Sequence, residues 1–589
     1  MRLFTLALDY DGTIALGDRV DADVRNAIAV SRTRGITVLL ATGRILDELR
    51  RVAGDLHFVD GVIAENGAVL HFPESGHSAM LAPPVPQRFL DELSRRGIAH
   101  HAGQSLVDAA AIDAPAILDV IRALELPLVL IFNNGRVMTM PQGISKGTGL
   151  HAALATLRLS ARNTLAIVDA ENDHELLRLA EVGVSVPWGS APLRAAADVT
   201  LRGEGSAAVA AYLHGLADAG VLPAEAQGRR RLLLGYSEDG REFWLAARGR
   251  NVLIAGDTKS GKSWVAGLLC EQLILHGYCV CVIDPEGDYR SLEALPGVTL
   301  LGGEDPPPSP RDLTRALRYP DRSVVIDLSR LPQDAKVLYI RGILPALNQL
   351  RRRTGLPHRI VIDEAHYFLH DGDAGGLLDL ERNGYTVVTY CASRLPKALL
   401  DSTEVMIVTC ESNPAEIEAL FRRCEGCNTA ATDQWQVLRR LRTGQAVALP
   451  ITPEAEGRLR LFTVARRLTA HVRHRQKYVD VPVSEQRAFV FSTAPALLRA
   501  RTLRQFVNQL EHNAAAALDP FVTRGDFSRW IKDVFGDHAL AADLRAIESR
   551  HRATPGPDTI PDLVDAIRAR YDLRDEPALP MRGGSSAVA

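Results

Sequence analysis

The stretch NVLIAGDTKSGKSW, residues 251–264, constrains the fold of this chain more than any other. Four apolar or β-branched residues lead into GDTKSGKS, Gly256 to Ser263, which matches GxxxxGK[ST], and the apolar run WVAGLLCEQLILHG follows with helical character. Strand, glycine-rich loop and helix in that order require a parallel α/β domain. The residue types fit phosphate binding. Backbone N–H groups of the loop and the N-terminus of the helix cradle phosphates, Lys262 reaches the β and γ oxygens, and Ser263 ligates Mg²⁺. The expected ATP-binding set is Gly256, Asp257, Thr258, Lys259, Ser260, Gly261, Lys262 and Ser263. A second strand, RIVIDEAH, ends in Asp363 and Glu364. Asp363 is expected to assist the metal and Glu364 to activate water. A carboxylate beside the metal-binding aspartate suits hydrolysis, whereas a kinase must keep water from the γ-phosphate, so an ATPase is favoured.

At 589 residues the chain is long enough for about three to five domains of roughly 100–200 residues. Apolar residues make up 46% and charged residues 24%, so each domain can bury a core. A net charge of -3 makes no whole-molecule case for nucleic-acid or membrane attraction, and any such surface must be local. No apolar run approaches the roughly 18–20 residues that span a bilayer, and the N-terminal MRLFTLALDYDGT meets acidic residues too early for a signal peptide. The expectation is a cytoplasmic protein with no membrane partner. Seven cysteines all lie between residues 270 and 427 and read as reduced and buried. Cys424 and Cys427 form a CxxC without a second pair of ligands at zinc-site spacing.

The first 215 residues alternate short apolar runs with helical stretches, a parallel α/β pattern. Residues 82–140 read as a small α/β insertion able to cover a site. In LALDYDGT, Asp9 and Asp11 end an apolar run before Gly12. Alone this pattern marks a strand-to-turn transition as readily as a site. Three later stretches change that: LLATGR ends in a run carrying Thr42, GISKGTGL places Lys146 before a helix, and IVDAENDHELL places Asp169 and Asp173 after a strand. Together with IAENGA at 63–68, the set and its order resemble the haloacid dehalogenase superfamily, in its Cof-like sugar-phosphatase branch. The resemblance implies phosphoryl transfer in which Asp9 attacks phosphorus and Asp11 serves as acid and then base. It implies Mg²⁺ held by Asp9, Asp169, Asp173 and the backbone carbonyl of Asp11, with Thr42 and Lys146 on the phosphoryl oxygens. The chain departs from the pattern at Val168, where the family usually has glycine, and in an insertion shorter than a full cap. The substrate class therefore stays open among sugar phosphates, phosphoglycerate-type esters and larger molecules.

A second α/β series runs from 232 to 465, after a linker at 216–231. Following its second strand, VIDPEGDY carries Asp284, Glu286, Asp288 and Tyr289. With GDTKSGKS and IDEAH this resembles the HerA/FtsK-type ATPases of the RecA-like additional-strand group. Relatives commonly form rings, so the resemblance implies a homo-oligomer; Ser393 or Arg394 are sensor candidates, and Arg422 or Arg423 arginine-finger candidates.

Residues 457–478 carry seven Lys/Arg and no acid. Within the connector at 466–485 a solvated or interdomain face competes with a DNA-binding surface, the former favoured because aromatic residues are few. Residues 486–575 read as a helical accessory domain in which Phe527, Trp530 and Phe535 form core, and 576–589 as a disordered tail. The fold class expected is thus α/β multidomain: a Rossmann-like domain with a small cap, a RecA-like P-loop domain, and a mostly helical domain. The function expected is a Mg²⁺-dependent phosphomonoester hydrolase joined to an ATPase that regulates or powers it, acting on a small phosphorylated substrate such as a sugar phosphate. The alternative is a DNA-translocating motor, or an enzyme like the polynucleotide kinase-phosphatases.

Overall fold

A computed structural model describes residues 1–133, 135–224, 229–369, 374–422, 436–450, 460–469, 483, 487–493, 496–535 and 537–571. Residues 1–471 form one compact unit and residues 472–589 a second. Among the described residues no helix is long and apolar enough to cross a membrane.

The first α/β domain is built on an eight-stranded sheet whose centre is the strand Thr5–Asp9, paired in parallel with Thr37–Ala41 on one side and Thr164–Val168 on the other. Alternate residues of these strands enter different cores, as the period of two demands. Leu6, Leu8, Val38 and Leu40 pack with Val24, Ile28, Val209 and Leu213 of the helices Ala22–Thr33 and Gly205–Ala219. Ala7, Leu39 and Ala41 pack instead with Leu150, Leu154 and Leu176 of the helices Lys146–Leu157 and His174–Leu179. The sheet is therefore covered on both faces, which explains its nearly unbroken apolar strands. The chain order reverses around Thr5–Asp9, creating a crevice at the carboxyl ends of the strands. Over residues 87–141 a separate antiparallel sheet, in the order Leu128–Asn133, Arg136–Pro141, Val107–Ala110 and His100–Ala102, carries the helices Gln87–Arg95 and Ala114–Ala123 as a small cap.

The second α/β domain has an eleven-stranded sheet. Its parallel part places Tyr385–Thr389 between Val252–Ala255, which feeds the glycine-rich loop, and Arg359–Ile362, which ends at Asp363. One additional strand thus separates the two motifs, the RecA-like arrangement. Gln445–Pro450, Arg460–Val464, Arg231–Tyr236 and Glu242–Ala246 extend the sheet antiparallel.

These two domains meet through polar groups at the amino ends of their strands. Glu181, which precedes Val182–Ser185, is buried and accepts from Tyr278 Oη at 2.8 Å, with Arg162 at 3.1 Å and Arg230 at 3.2 Å. His358 accepts from the Cys279 N–H at Nδ1, so its Nε2 carries the proton that it gives to Asn163 Oδ1, 3.0 Å away. The stretch read as a linker is only partly one. The helix Gly205–Ala219 runs into it, and Arg229 and Arg230 at its end are tied to Asp198 and to the carbonyl of Arg178.

In the second unit, the hairpin Phe489–Thr493 and Ala496–Ala500 precedes helices from Leu503 to Arg570. Phe489, Phe491, Phe506, Phe527, Trp530 and Phe535 share one core, so the expected helical packing holds, with a hairpin added. Cys270, Cys279 and Cys281 are buried as expected, whereas Cys391 and Cys410 are only partly so, because they lie just past the ends of their strands. Cys424, Cys427, Arg423 and the tail from 572 lie outside the described residues.

Candidate active sites at two strand ends

The first site forms where three adjacent strands end. Asp9 closes the central strand, Thr42 follows Thr37–Ala41, and Asp169 follows Thr164–Val168. Lys146 and Asp173 arrive from helix starts. Ser145 caps the helix Lys146–Leu157 by accepting the Thr148 N–H, and Thr148 Oγ1 accepts the Ser145 N–H at 2.9 Å in return. That box sets Lys146 at the first helical position, aimed inward. Its Nζ donates to Asp9 Oδ1 at 2.5 Å and to Asp173 Oδ1 at 2.7 Å, with all three side chains buried.

Carboxylate oxygens of Asp9, Asp169 and Asp173 lie within 4.8 Å of one another. Burial and the neighbouring Asp173 and Asp169 charges push Asp9 well above the usual carboxylate range, against the pull of Lys146. Burial likewise raises Asp169. Burial alone would favour a neutral amine at Lys146, but Asp173 and Asp9 raise the ammonium above its ordinary value. Three converging carboxyl groups beside one ammonium resist ionising together in a buried place, and that hard-oxygen donor set fits a small divalent cation. The fit extends to the backbone: Gly12 adopts φ +75°, and a Cβ there would lie 2.0 Å from Asp169 Oδ2.

Asp11 stands apart from this cluster. It is gripped by Arg44, whose Nε lies 2.9 Å from Oδ1 and 3.0 Å from Oδ2, and Thr42 Oγ1 is 3.5 Å from its Oδ2. Arg44 also reaches Asp18 and Glu48. This arginine was present in the quoted LLATGR, yet nothing in its spacing marked it as the partner of Asp11. Three further residues, two of them inside IAENGA, had been given no role. Glu65 and Asn66 turn through left-handed backbone (φ 51° and 53°), and buried Glu65 accepts the N–H groups of Gln104 and Ser105, tying the cap to the core. Trp188 donates its indole N–H to the Gly12 carbonyl at 2.6 Å. From the cap, Met140 Sδ accepts from Asn66 at 3.5 Å, and Met138 Sδ sits 3.1 Å from where a Gly43 Cβ would be.

In the second site Gly256 (φ 145°), Lys259 (φ 64°) and Gly261 (φ 105°) shape the loop, and Gly256 has no room for a side chain because Thr409 Oγ1 lies 2.2 Å from the Cβ position. Lys262 Nζ donates to the carbonyl of Asp257 at 2.8 Å, and Ser263 Oγ donates to Asp288 Oδ2 at 2.8 Å. Thr258 is half-buried and Lys259 exposed on the loop crest. Thr409, beyond the strand Val405–Val408, shares a hydrogen bond with Ser260 Oγ and was not anticipated. Asp284 accepts four backbone N–H groups, from Glu286, Gly287, Asp288 and Tyr289. Burial, with repulsion from Asp288, nevertheless pushes it up to about 7. Asp284 thus holds the turn, and Asp288 presents its carboxylate to Ser263. Asp363 and Glu364 are buried at the end of Arg359–Ile362, one strand from the loop. Glu364 is left-handed (φ 47°), a strained state for a non-glycine residue of the kind concentrated at functional sites. Ser393 is tied to Glu416 at 2.5 Å, Arg394 is exposed, and of Arg422 only the backbone is described.

Comparison with known proteins finds matches for both α/β domains. Residues 6–98 and 116–213 match the haloacid dehalogenase-like hydrolase family, and residues 248–444 match the family described as helicase HerA, central domain. The chain is 32% identical over 213 residues to a phosphoglycolate phosphatase of Methanoculleus marisnigri, covering 33% of this chain and 86% of that protein. It is 29% identical over 223 residues to a phosphoglycolate phosphatase of Methanopyrus kandleri, covering 35% of this chain and 94% of that one. A solved haloacid dehalogenase-like hydrolase from Bacteroides thetaiotaomicron aligns with 18% identity and a TM-score of 0.33, over 36% of this chain and 100% of that one. The chain therefore belongs to the haloacid dehalogenase-like hydrolases through its N-terminal, Cof-like domain, and carries behind it a P-loop domain of the HerA ATPase family.

Proposed function

We propose that the protein is a bifunctional cytoplasmic enzyme, a Mg²⁺-dependent phosphomonoester hydrolase fused to an ATP hydrolase that regulates or powers it. The observation that carries the hydrolase half is the convergence of Asp9, Asp169, Asp173 and Lys146 in one buried cluster. Asp9 attacks phosphorus, the bond to the leaving oxygen breaks, and Asp11 gives that oxygen its proton. Asp11 then takes a proton from water, whose oxygen displaces Asp9 and releases phosphate. Lys146 and Thr42 hold phosphoryl oxygens, and Arg44 orients Asp11. Mg²⁺, which Asp9, Asp169, Asp173 and the Asp11 carbonyl would hold, supplies charge neutralisation for the incoming phosphoryl group. Relatives named phosphoglycolate phosphatase, and a small cap bringing Met138 and Met140 toward the core, support a small phosphomonoester substrate of the phosphoglycolate or sugar phosphate type.

In the second domain Lys262 and the loop Gly256–Ser263 take the ATP phosphates, Ser263 and Asp363 would hold the accompanying Mg²⁺, and Glu364 activates water. The joint between the domains supports regulation of one site by the other. Asn163 and Glu181 immediately precede strands of the hydrolase sheet, and His358 and Tyr278 precede strands that lead to Asp363 and Asp284. A second reading, a ring-forming motor on DNA, draws on the description of the matched family as a helicase domain.

The test is turnover of ATP and of a phosphomonoester panel including phosphoglycolate, by wild type, Asp9→Asn and Lys262→Ala, with and without double-stranded DNA. The proposal expects Asp9→Asn to lose only phosphomonoester turnover, Lys262→Ala to lose ATP turnover, and ATP to alter phosphomonoester turnover only when Lys262 is intact. ATP hydrolysis that rises with DNA, while phosphomonoester turnover ignores ATP, would replace it with the motor reading.

A further inference from the structure

The five residues past the strand Arg460–Val464 lie against the outside of the helix that begins with Lys262 and Ser263. The helix Lys262–Leu275 presents Trp264, Gly267 and Glu271 at i, i+3 and i+7, one stripe of its surface. Into that stripe the segment Ala465–Thr469 places Arg467, with both Arg467 and Glu271 almost wholly buried. Arg467 Nε donates to Glu271 Oε1 at 2.8 Å, and its Nη2 donates to Thr469 Oγ1 at 2.8 Å. Glu271 also accepts the N–H groups of Leu468 (2.8 Å) and Thr469 (3.1 Å) and the Thr469 hydroxyl. The Trp264 indole N–H donates to the Ala465 carbonyl at 3.2 Å, and the Arg467 guanidinium lies 5.8 Å from the centre of the Trp264 ring. A Cβ at Gly267 would stand 2.3 Å from Arg467 Nη1, so a side chain there displaces the guanidinium from its seat.

We infer that this strap, through Arg467 and Glu271, positions the helix that carries Lys262 and Ser263, so that nucleotide affinity depends on it. Trp264 is the residue after Ser263, so the strap grips the helix in its first turn, where the phosphate-binding N–H groups lie. A buried ion pair stabilises a fold little better than apolar residues of the same size would. What the pair adds is a defined seat, since Glu271 accepts from three consecutive strap residues and cannot do so if the helix rotates. The strap also opens the arginine-rich connector, so one of the charges that the sequence offered to solvent or nucleic acid is spent inside the ATPase domain.

The inference rests on the nucleotide reading of Gly256–Ser263, and the experiment separates the two. Binding of a fluorescent ADP analogue with Mg²⁺ is measured on the full chain for wild type, Lys262→Ala, Thr469→Val and the neutral pair Arg467→Met with Glu271→Gln, with thermal unfolding recorded for each. The neutral pair, folded, is expected to bind roughly 2- to 30-fold more weakly, the range of coupling carried by residues that touch no ligand. Thr469→Val, which keeps every charge, is expected to move the same way by less, and decides the matter if the neutral pair does not fold. Folded variants that bind as tightly as wild type, while Lys262→Ala does not bind, overturn the positioning role. Wild-type binding by Lys262→Ala overturns the nucleotide reading itself.

Discussion

Asp11 makes its strongest contacts not with the clustered carboxylates of Asp9, Asp169 and Asp173 but with Arg44, a guanidinium that meets both of its oxygens. A planar fork fixes a carboxylate in a way that a single ammonium cannot. Arg44→Lys is therefore expected to lower phosphomonoester turnover by about 10- to 100-fold, the order at stake when a general acid loses its orientation, with ATP hydrolysis unchanged. Parallel kinetics of the two reactions on one preparation checks this, and full phosphomonoester activity in the variant would remove Arg44 from the mechanism. At this scale the sequence was readable where an ordered motif fixes a residue's place, as with Asp9 at the end of a strand and Lys262 at the start of a helix. Arg44 was not, because an arginine after a strand is as easily a solvated residue, and only the fold brings Asp11 under it.

Among the elements, the strands that lead to Asp363 and Asp169 are pinned at their starts by His358 and Asn163. Burial first, then Arg162 and Arg351, depress His358 to about 3. The folded protein thus keeps this imidazole neutral where the unfolded chain, at about 6.5, would protonate it. The unfolded state binds the extra proton below that value, so stability rises with pH there and is lost as pH falls from about 6.5 toward 3, at up to roughly 1.4 kcal/mol per pH unit from this one group. Thermal unfolding between pH 7 and pH 5 is expected to show a fall that His358→Gln reduces; an unchanged slope in the variant would assign the fall to other groups. The strands themselves were legible, since runs such as NVLIAG and RIVIDE are apolar on both faces. Their pins were not, because Asn163 and His358 are 195 positions apart and neither sits in a motif.

For the molecule as a whole, the hydrolase and ATPase domains share the unit formed by residues 1–471, and Glu181 is the charge at their joint. Removing it leaves Arg162 and Arg230 without their shared carboxylate and Tyr278 without its acceptor. Breaking a buried pair from one side costs about 3–5 kcal/mol. Glu181→Ala is expected to lower the unfolding midpoint of the hydrolase and ATPase signals together in calorimetry, because the joint belongs to both. A hydrolase transition that shifts alone would show that the two domains unfold separately.

What the sequence determined by itself was local: glycine-rich loop, strand-end acids and apolar periodicity are each short-range features, so both α/β domains could be read from them and their ordered motifs likened to known families. The additional strand between the two ATPase motifs was implied only by the resemblance: Tyr385–Thr389 follows both motif strands in the chain, and its place between them is set by the tertiary fold. The tertiary structure decided what depends on contacts between distant positions. It set which cation serves Asp11, why Asp284 holds a turn while Asp288 meets Ser263, and why Arg467 is buried rather than solvated. The physical reason is that a side chain's charge has no assigned role until burial removes water as its partner, and only the folded chain decides which group takes water's place.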